Sequence, residues 1–452
     1  MHANNQGEIV SRTLRTTGAV LALALAATTA ACSSPVDKAT SSDRPTGTMT
    51  VGTGVKVDLD SCPSTWGNDV GVTKDTIKIG MSVPKSGPLA SVGGLADGVK
   101  AYFDKVNAED PIDGKKVVLD IRDDGYDPAR TKTNVQSMLA ANDIFAFLYI
   151  VGTANNAAVT PLLKDACTPQ VEGGTGKLDL TAHPDQNPWM QDGLLSYSSE
   201  ATLWCNDIKQ RFGTGKTVAY LAMDNDFGDD YVKGIEACAK SGVIKVVAAQ
   251  RHAPTAPSIT NQLTTMVASK ADIAMFGTTG SFCPQALTGL NASTWKPTVY
   301  LSTTCSRVGG TFAPIAPVGA GTLVAINRKD AADPQYKDDK DVQDMASLLT
   351  KAGAATDGQP SDGVLMAKYL EYALRAAAKM DGGLTRTNLL KVMWKSDYTD
   401  PLAADGITYK TDGVKDPLLY DAARIGEYQP PVAGSKTGSF KLEGDVLTTS
   451  EK

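Results

Sequence analysis

The chain has 452 residues with 44 basic and 50 acidic side chains, which gives a formal net charge of -6 at pH 7. This balance offers no basic surface for nucleic acid, so DNA and RNA are excluded as expected partners. Roughly 380 residues follow a low-complexity N-terminal segment, more than a single hydrophobic core usually serves, which predicts two lobes.

The N-terminus has the pattern of a secretory signal peptide. Arg12 and Arg15 precede an apolar run at residues 18–27, which is too short to span a bilayer permanently. The run ends in Thr29-Ala30-Ala31-Cys32, which resembles a bacterial lipobox except that leucine is usual where Thr29 stands. We therefore predict a signal peptide over residues 1–31 and a lipid on Cys32 that anchors the exported protein to the outer face of the cell membrane. The alternative is an ordinary signal peptide cut after an A-x-A-like site, with Cys32 incidental.

The next segment, residues 32–75, is rich in Ser, Thr, Gly, Pro and Asp and lacks apolar periodicity until Val72. Such a composition predicts a flexible, lipid-anchored tether that lets the globular body meet a membrane partner. No later stretch of the sequence is long and apolar enough to span a bilayer.

The first half of the body alternates β-branched runs with helical patterns. The helix beginning at Gly94 repeats Leu95, Val99, Phe103 and Val106 at spacings of three and four residues, which gives it one apolar face. The predicted strands are 77–81, 117–122, 144–151 and 168–171, and the helices are 94–108, 128–141 and 155–165. This βαβαβαβ order predicts a parallel sheet covered on both faces.

A second βα series follows, and then three late helices. The second series has helices at 200–211, 229–240 and 259–268, and strands at 217–223, 244–249, 272–276, 298–301 and 323–326. The late helices 341–352, 363–380 and 387–394 are expected to return to the first lobe, before closing strands at 406–410 and 418–428. Lobe 1 is therefore predicted to span 76–195 and 327–400, and lobe 2 to span 196–326 and 401–452. Crossovers near Ser196, Ile326 and Pro401 would make a hinged clamp.

Six cysteines remain after Cys32, and an exported protein permits disulfides. Sequence alone leaves 15 possible pairings. Local geometry favours Cys205 with Cys238, on consecutive predicted helices, and Cys283 with Cys305, in consecutive loops. Cys62 with Cys167 then follows only by exclusion.

Signals for catalysis and metal binding are weak. The sequence has three histidines, no G-x-S-x-G elbow and no C-x-x-C pair. Ser82 to Lys85, Ser361-Asp362-Gly363 and Lys436-Thr437-Gly438 mimic the motifs of penicillin-binding enzymes, but Pro84 and Gly87 place the first in a loop, and the second ends in the wrong residue. We therefore predict no enzymatic activity, metal or cofactor, with a secreted serine hydrolase as a less favoured alternative.

The remaining candidates for function are loops that follow the predicted strands, where open α/β sheets bind ligands. These loops are rich in Gly, Ser, Thr and Asn, whose backbone amides and hydroxyls suit a carboxylate. The loops are 84–94, 152–156, 172–175, 224–228, 278–282 and 303–306. Ordinary turn chemistry explains any single loop equally well, but less readily explains six that should share one edge of two facing sheets.

Over Ile77 to Tyr428 the sequence resembles the type I periplasmic binding proteins of the branched-chain amino acid ABC transporter family. The matching pieces are Ile77-Lys78-Ile79-Gly80 before Ser86-Gly87-Pro88, Gly98 to Asn107 with Asp113-Gly114-Lys115, Asp123-Asp124 with Asp127-Pro128, and Asp224 to Gly228. The resemblance implies an α/β Venus-flytrap fold of two doubly wound parallel-sheet lobes joined by a multi-strand hinge. It also implies a monomer that closes on a small-molecule ligand and docks with an ABC permease, or a sensor component that uses the same clamp.

The resemblance also suggests which residues bind the ligand. Thr153, Ala154, Asn155, Gly173, Gly174 and Thr175 would hold a ligand carboxylate, and Phe227 and Phe282 would pack on the ligand. The expected site also includes Leu89, Val92, Ser281 and Thr304.

Two positions depart from the amino acid binders of this family. Val92 stands where many relatives have an aromatic ring, and residues 303–306 offer no glutamate to pair with a ligand ammonium. A buried ammonium without a carboxylate would be costly, so we expect a carboxylate or largely apolar small molecule rather than a standard α-amino acid. Asp226 and Glu172 are the alternative sources of the missing charge.

Overall fold

The structure is a computed structural model that describes residues 44–356 and 358–448. The predicted signal peptide and the predicted lipid site at Cys32 lie outside the described residues. Within the described part of the chain, the helices are too short or too polar to cross a membrane.

The predicted tether over residues 32–75 is corrected by the structure from residue 48 onward. Strands β1 (Thr48–Gly52) and β2 (Val55–Asp58) form an antiparallel hairpin. Val55 and Val57 alternate with exposed residues and are buried. This apolar alternation is only a few residues long, and polar residues surround it, so composition alone indicated a linker.

The first lobe is built on five parallel strands covered by helices. Its strands are β3 (Thr76–Val83), β4 (Lys116–Asp123), β5 (Ala146–Leu148), β6 (Gln170–Gly173) and β7 (Met190–Asp192), and its first helices are α1 (Leu95–Glu109), α2 (Pro128–Ala140), α3 (Thr153–Asp165) and α4 (Leu178–Thr181). The strand order is β4-β3-β5-β6-β7. Strand β7 is a three-residue strand that the sequence analysis missed, because so short a run carries no periodicity.

The second lobe contains a seven-stranded mixed sheet. Its helices are α5 (Tyr197–Phe212), α6 (Asp226–Lys240), α7 (Thr260–Ser269) and α8 (Phe282–Ala292), and its first strands are β8 (Lys216–Met223), β9 (Ile244–His252), β10 (Ile273–Gly277), β11 (Thr298–Leu301) and β12 (Leu323–Ile326). These five strands are parallel in the order β12-β11-β10-β8-β9. The two lobes together confirm the predicted α/β class.

The three late helices are α9 (Lys340–Lys351), α10 (Gln359–Ala378) and α11 (Arg386–Met393). Helix α10 packs on α1 through two glycines. A Cβ atom at Gly98 would lie 1.9 Å from the Pro360 carbonyl oxygen, and one at Gly363 would lie 1.9 Å from the Leu95 carbonyl oxygen. The absence of side chains at these two positions lets the helix axes approach closely and fixes α10 against the first lobe.

The last strands are β13 (Asp397–Tyr398), β14 (Tyr409–Lys410), β15 (Ala422–Gln429) and β16 (Ser439–Thr448). Strands β13 and β14 form a separate antiparallel pair, whereas β15 joins β12 and β16 extends that edge, both antiparallel. The sequence predicted the strand near β15 but not β16. The second lobe is therefore not a purely parallel doubly wound sheet.

The predicted disulfide pairings are confirmed. The Cα atoms are 5.6 Å apart in Cys62–Cys167, 5.7 Å in Cys205–Cys238 and 5.9 Å in Cys283–Cys305. The first bridge ties the N-terminal segment to the first lobe, and the other two lie within the second lobe.

A buried carboxyl group lies among the aromatic rings of the second lobe. Glu200 is fully buried, and its two oxygens accept hydrogen bonds from the Tyr231 hydroxyl at 2.5 Å and the Thr303 amide at 2.8 Å. Burial raises the pKa of Glu200 to about 8, despite these two hydrogen bonds.

We expect Glu200 to make stability depend on pH. The folded protein retains this proton up to a pKa of about 8, whereas an unfolded glutamate loses it near pH ~4.3, so stability should fall as pH rises between these values. The slope for one proton is at most about 1.4 kcal/mol per pH unit. Urea denaturation across this range should show the decline in the native protein and a flatter curve in Glu200→Gln. The exposed Glu236 provides the control, because Glu236→Gln should keep the native slope; equal slopes in all three proteins would refute the assignment.

Candidate functional site

A cavity of about 50 Å³ lies between the two lobes, at the carboxyl ends of both sets of parallel strands. Each of the six loops singled out in the sequence contributes one lining residue: Val92, Gly152, Gly174, Phe227, Thr279 and Thr304. The other lining residues are Leu95, Tyr126, Tyr149, Val151, Leu194, Tyr197, Arg307, Arg328, Gln359 and Asp362. The fold thus brings the loops together where ligands bind in open α/β sheets.

Four of the twelve predicted ligand residues line this cavity: Val92, Gly174, Phe227 and Thr304. Phe227 lies in the first turn of α6, and its ring packs edge-on against Tyr197 with centroids 4.7 Å apart. The Thr304 hydroxyl donates to the Thr278 carbonyl at 3.0 Å. At Gly174 a Cβ atom would lie 2.3 Å from the Ile150 carbonyl oxygen, so only glycine allows this close approach.

Five predicted residues lie beside the cavity wall without lining it: Thr153, Ala154, Asn155, Gly173 and Thr175. The Thr175 hydroxyl donates to the Thr153 hydroxyl at 3.0 Å, and both bind the Tyr197 hydroxyl. The Asn155 amide donates to Thr131 at 2.6 Å. In this conformation the two threonines hold a wall residue, Tyr197, and their contact with a ligand stays a prediction.

The last three predicted residues have different positions. Leu89 contacts the Gly280 region, and the adjacent Ser281 hydroxyl donates to the Pro88 carbonyl at 3.2 Å, so these two lie at a contact between the lobes. Phe282 is fully buried in the second lobe, where its ring centroid is 4.1 Å from that of His252. Its ring is part of the lobe core in this conformation, and packing of Phe282 on the ligand stays a prediction.

Three tyrosines form much of the wall and were not predicted: Tyr126, Tyr149 and Tyr197. Tyr126 and Tyr149 have φ values of 65° and 46°, a left-handed conformation that is strained for residues other than glycine. Tyr126 is held there by its amide, which donates to Asp124 at 2.8 Å. Tyr126 follows the end of β4 by three residues and Tyr149 directly follows β5, and these positions after strands were the available sequence signal for the site. The direction of the two side chains depends on the unusual backbone, which the sequence does not reveal.

The charged side chains of the cavity wall also escaped the sequence analysis. Arg307 follows β11, Arg328 follows β12, and Asp362 lies in the first turn of α10. The Arg307 Nε donates to Asp362 Oδ2 at 2.9 Å, its Nη2 pairs with Oδ1, and the Arg328 Nε lies 3.1 Å from the same Oδ1. Each side chain is at most 5% exposed. One carboxylate of the first lobe thus contacts Arg307 of the second lobe and Arg328, which lies just beyond the crossover after β12.

The two carboxylates considered as partners for a ligand ammonium are engaged elsewhere. Asp226 pairs with Lys177, with 3.1 Å between Oδ2 and Nζ. Glu172 is buried and accepts a hydrogen bond from the Tyr420 hydroxyl, and burial raises its pKa well above the usual value of a glutamate. Neither residue lines the cavity.

The motifs weighed for catalysis have structural roles. Ser82 lies within β3 rather than in the following loop, and its hydroxyl donates to the buried Asp124 at 2.8 Å. Lys85 is exposed. Across residues 44–356 and 358–448, no three His, Cys, Asp or Glu side chains are grouped as a metal site would require.

Known proteins share this fold. A family model described as periplasmic binding protein matches residues 76–420. No curated protein matches the sequence.

Several solved structures superpose on most of the chain. A branched-chain amino acid ABC transporter protein from Thermus thermophilus, with bound valine, has a TM-score of 0.73 at 17% identity and covers 83% of this chain and 97% of its own. A solute-binding protein from Rhodopseudomonas palustris BisB5, in complex with 3,4-dihydroxybenzoic acid, has a TM-score of 0.70 at 16% identity. The superposition covers 84% of this chain and 99% of that protein. A fatty acid ABC transporter substrate-binding protein from Thermomonospora curvata has a TM-score of 0.68 at 17% identity. The superposition covers 85% of this chain and 96% of that protein. At these identities the likeness establishes the fold, and the bound molecules belong to those proteins.

Proposed function

The chain belongs to the periplasmic binding protein family, in the type I class that includes branched-chain amino acid binders, and we propose that it captures a small carboxylate-bearing or apolar molecule and delivers it to an ABC importer. The observation that carries this proposal is the cavity between the lobes, to which both lobes contribute side chains. A ligand that contacts both lobes stabilises the closed arrangement only by its higher affinity for that arrangement.

The proposal includes export, a lipid on Cys32 and action as a monomer beside a membrane permease. Three disulfides support an oxidising compartment outside the cytoplasm. We propose lobe boundaries at residues 195/196 and 326/327, with the hairpin of residues 48–58 added to the first lobe. The third boundary, expected at 400/401, is moved beyond Tyr420, because β14 pairs with β13 and the amides of Leu419 and Tyr420 donate to Asp192 of β7. The described chain moves from the first sheet to the second between β7 and α5, which places Leu194 at both a crossover and the cavity.

Binding is proposed without catalysis. Ser82, the candidate nucleophile of the hydrolase alternative, donates its hydroxyl to a buried carboxylate and is itself fully buried. The sensor alternative uses the same clamp and differs in its partner. Uptake of the identified ligand by cells with and without this chain separates the two, because only a transport component should be needed for uptake.

We expect Phe227→Ala to weaken ligand binding at least tenfold, which corresponds to about 1.4 kcal/mol, because its buried ring forms part of the wall from the second lobe. The measurement is thermal shift against aliphatic acids, aromatic acids, amides and amino acids, since a ligand at 100 times its Kd stabilises the folded state by about 2.7 kcal/mol.

The matched control is Phe212→Ala, which removes the same ring from an exposed position at the end of α5. Its ligand response should equal that of the native protein. No shift with any of the four compound classes, or equal shifts in the two variants, would contradict capture at this cavity.

A further inference from the structure

We propose that the captured molecule is a carboxylic acid that lacks an ammonium group, and that Arg328 binds its carboxylate. This inference rests on the proposed function and specifies its ligand class. The site is the cavity between the lobes, and the recognising group comes from the segment that leaves β12.

The first observation is an unpartnered charged donor in the cavity wall. The Arg328 side chain is 4% exposed, and its Nη1 is buried without a hydrogen-bond partner. Its Nε is 3.1 Å from Asp362 but also lacks a hydrogen bond of good geometry. Buried charged donors are rarely left unsatisfied, because each costs its full desolvation free energy. A ligand carboxylate accepts hydrogen bonds from the planar guanidinium in matching geometry.

Arg307 is the less available of the two guanidinium groups. It donates from Nε and pairs through Nη2, so both oxygens of Asp362 engage it. Behind it, Asp330 accepts hydrogen bonds from the backbone amides of Val308 and Ala332 and adds a second negative charge near Arg307. Arg328 therefore has the free hydrogen-bonding capacity that a ligand can use.

The charges around the wall leave no carboxylate for an ammonium. The lining contains Arg307, Arg328 and Asp362, and Asp330 lies behind Arg307, so each guanidinium group is already matched by one carboxylate. An ammonium would add an uncompensated positive charge in a place shielded from water, which is strongly unfavourable. A ligand carboxylate instead meets the Arg328 Nη1, which has no hydrogen-bond partner.

The wall also lacks an acceptor for an ammonium group. Both oxygens of Asp362 are engaged by guanidinium groups, Asp226 pairs with Lys177, and Glu172 lies outside the lining. The remaining hydroxyl and amide groups of the wall, such as those of Thr304 and Gln359, are neutral.

The rest of the wall determines the body of the ligand. Tyr126, Tyr149, Tyr197 and Phe227 present aromatic rings, and Val92 and Leu95 add aliphatic surface. Such a wall gains free energy by removing an aromatic or branched aliphatic group from water. The ligand class is therefore a small aromatic or aliphatic carboxylic acid.

Isothermal titration calorimetry of the purified protein with matched compounds tests this inference. The probes are 3-phenylpropionate, its amide and L-phenylalanine, together with 4-methylpentanoate, its amide and L-leucine. Within each trio the apolar body is shared, and only the acid group or an added ammonium differs. We expect an acid to bind on the order of 100-fold more tightly than its amide or its amino acid counterpart.

Variants of Arg328 provide the second part of the binding experiment. Arg328→Gln should lower affinity for the acid on the order of 100-fold and leave affinity for the amide nearly unchanged. Arg328→Lys keeps the positive charge but lacks the planar guanidinium with its paired donors, so it should lower affinity for the acid by an intermediate factor. This variant can be measured if Arg328→Gln folds poorly. The control is Arg375→Gln on α10, whose guanidinium pairs with Glu371 and Asp110 and should not affect binding.

The outcomes separate this inference from the proposed function. Tighter binding of an amino acid or an amide than of the acid overturns the inference but leaves solute capture intact. Acid binding that survives Arg328→Gln with native affinity also overturns it. Failure of all six compounds to bind counts against the inference, whereas capture itself fails only if the wider thermal-shift screen is also negative.

Discussion

Replacing Asp362 with alanine should lower the free energy of unfolding by about 3–5 kcal/mol. The substitution removes the carboxylate that both Arg307 and Arg328 contact, and it leaves two guanidinium groups buried with side-chain exposures of 5% and 4%. Burying an uncompensated charge costs far more than losing an exposed ion pair. Arg307 lies in the second lobe while Asp362 lies on α10 of the first, so the variant should also weaken the contact between the lobes.

Chemical denaturation of Asp362→Ala and of a matched control measures this effect. Asp344→Ala removes an aspartate from α9 that pairs with Lys340 in an exposed ion pair. The control should leave the free energy of unfolding nearly unchanged, because water and salt screen such pairs. A similar small loss in both variants would show that Asp362 does not compensate the two arginines in the folded protein.

The fold was largely predictable because local and global signals agree along most of the chain. Helix α2 begins as its sequence indicates, with Asp127 accepting from the Ala129 amide at 2.7 Å and proline at the first helical position. The alternation of short β-branched runs with amphipathic helices predicted two sheets of parallel strands. The cysteine pairings followed from which predicted elements were consecutive, and the last pair was reached by exclusion.

The elements that were missed are short or polar. The hairpin of residues 48–58 buries only a few apolar side chains, and β7 has three residues. Strand β16 alternates weakly, and most of its residues are at least partly exposed. A strand of this kind is specified by the neighbouring strand with which it pairs, β15, rather than by its own sequence.

The site was predictable as a set of loops but not as a set of side chains. Every predicted loop reaches the cavity because the carboxyl ends of parallel strands share one edge. The side chains that line it depend on tertiary structure. Tyr149 points inward from a left-handed backbone, and Arg307 meets Asp362 across 55 residues of sequence only because α10 packs on the first lobe. The Asp362 motif was noticed for its likeness to an enzyme motif, and its actual role could not be assigned without the fold.

Removing the Cys62–Cys167 disulfide should lower the free energy of unfolding by about 4–5 kcal/mol, because the bridge closes a long loop in the unfolded chain. The two cysteines are 105 residues apart, compared with 22 for Cys283 and Cys305. Loop-closure entropy increases with loop length, so a Cys283→Ala/Cys305→Ala variant should lose less, about 3 kcal/mol.

The fold should nevertheless survive in the Cys62→Ala/Cys167→Ala variant, because noncovalent contacts hold the same segment. The Trp66 indole donates to the Cys167 carbonyl at 2.8 Å, and the buried Arg386 donates to the carbonyls of Phe145 and Ile144 beside it. Urea denaturation under oxidising conditions measures the free energy of unfolding of both variants and shows which one loses more. Hydrogen exchange should show faster opening around residues 48–66 in the Cys62→Ala/Cys167→Ala variant alone, since only that bridge ties this segment to the first lobe. An equal or larger loss in the Cys283→Ala/Cys305→Ala variant would mean that native contacts, rather than the closed loop, determine how much each bridge stabilises the protein.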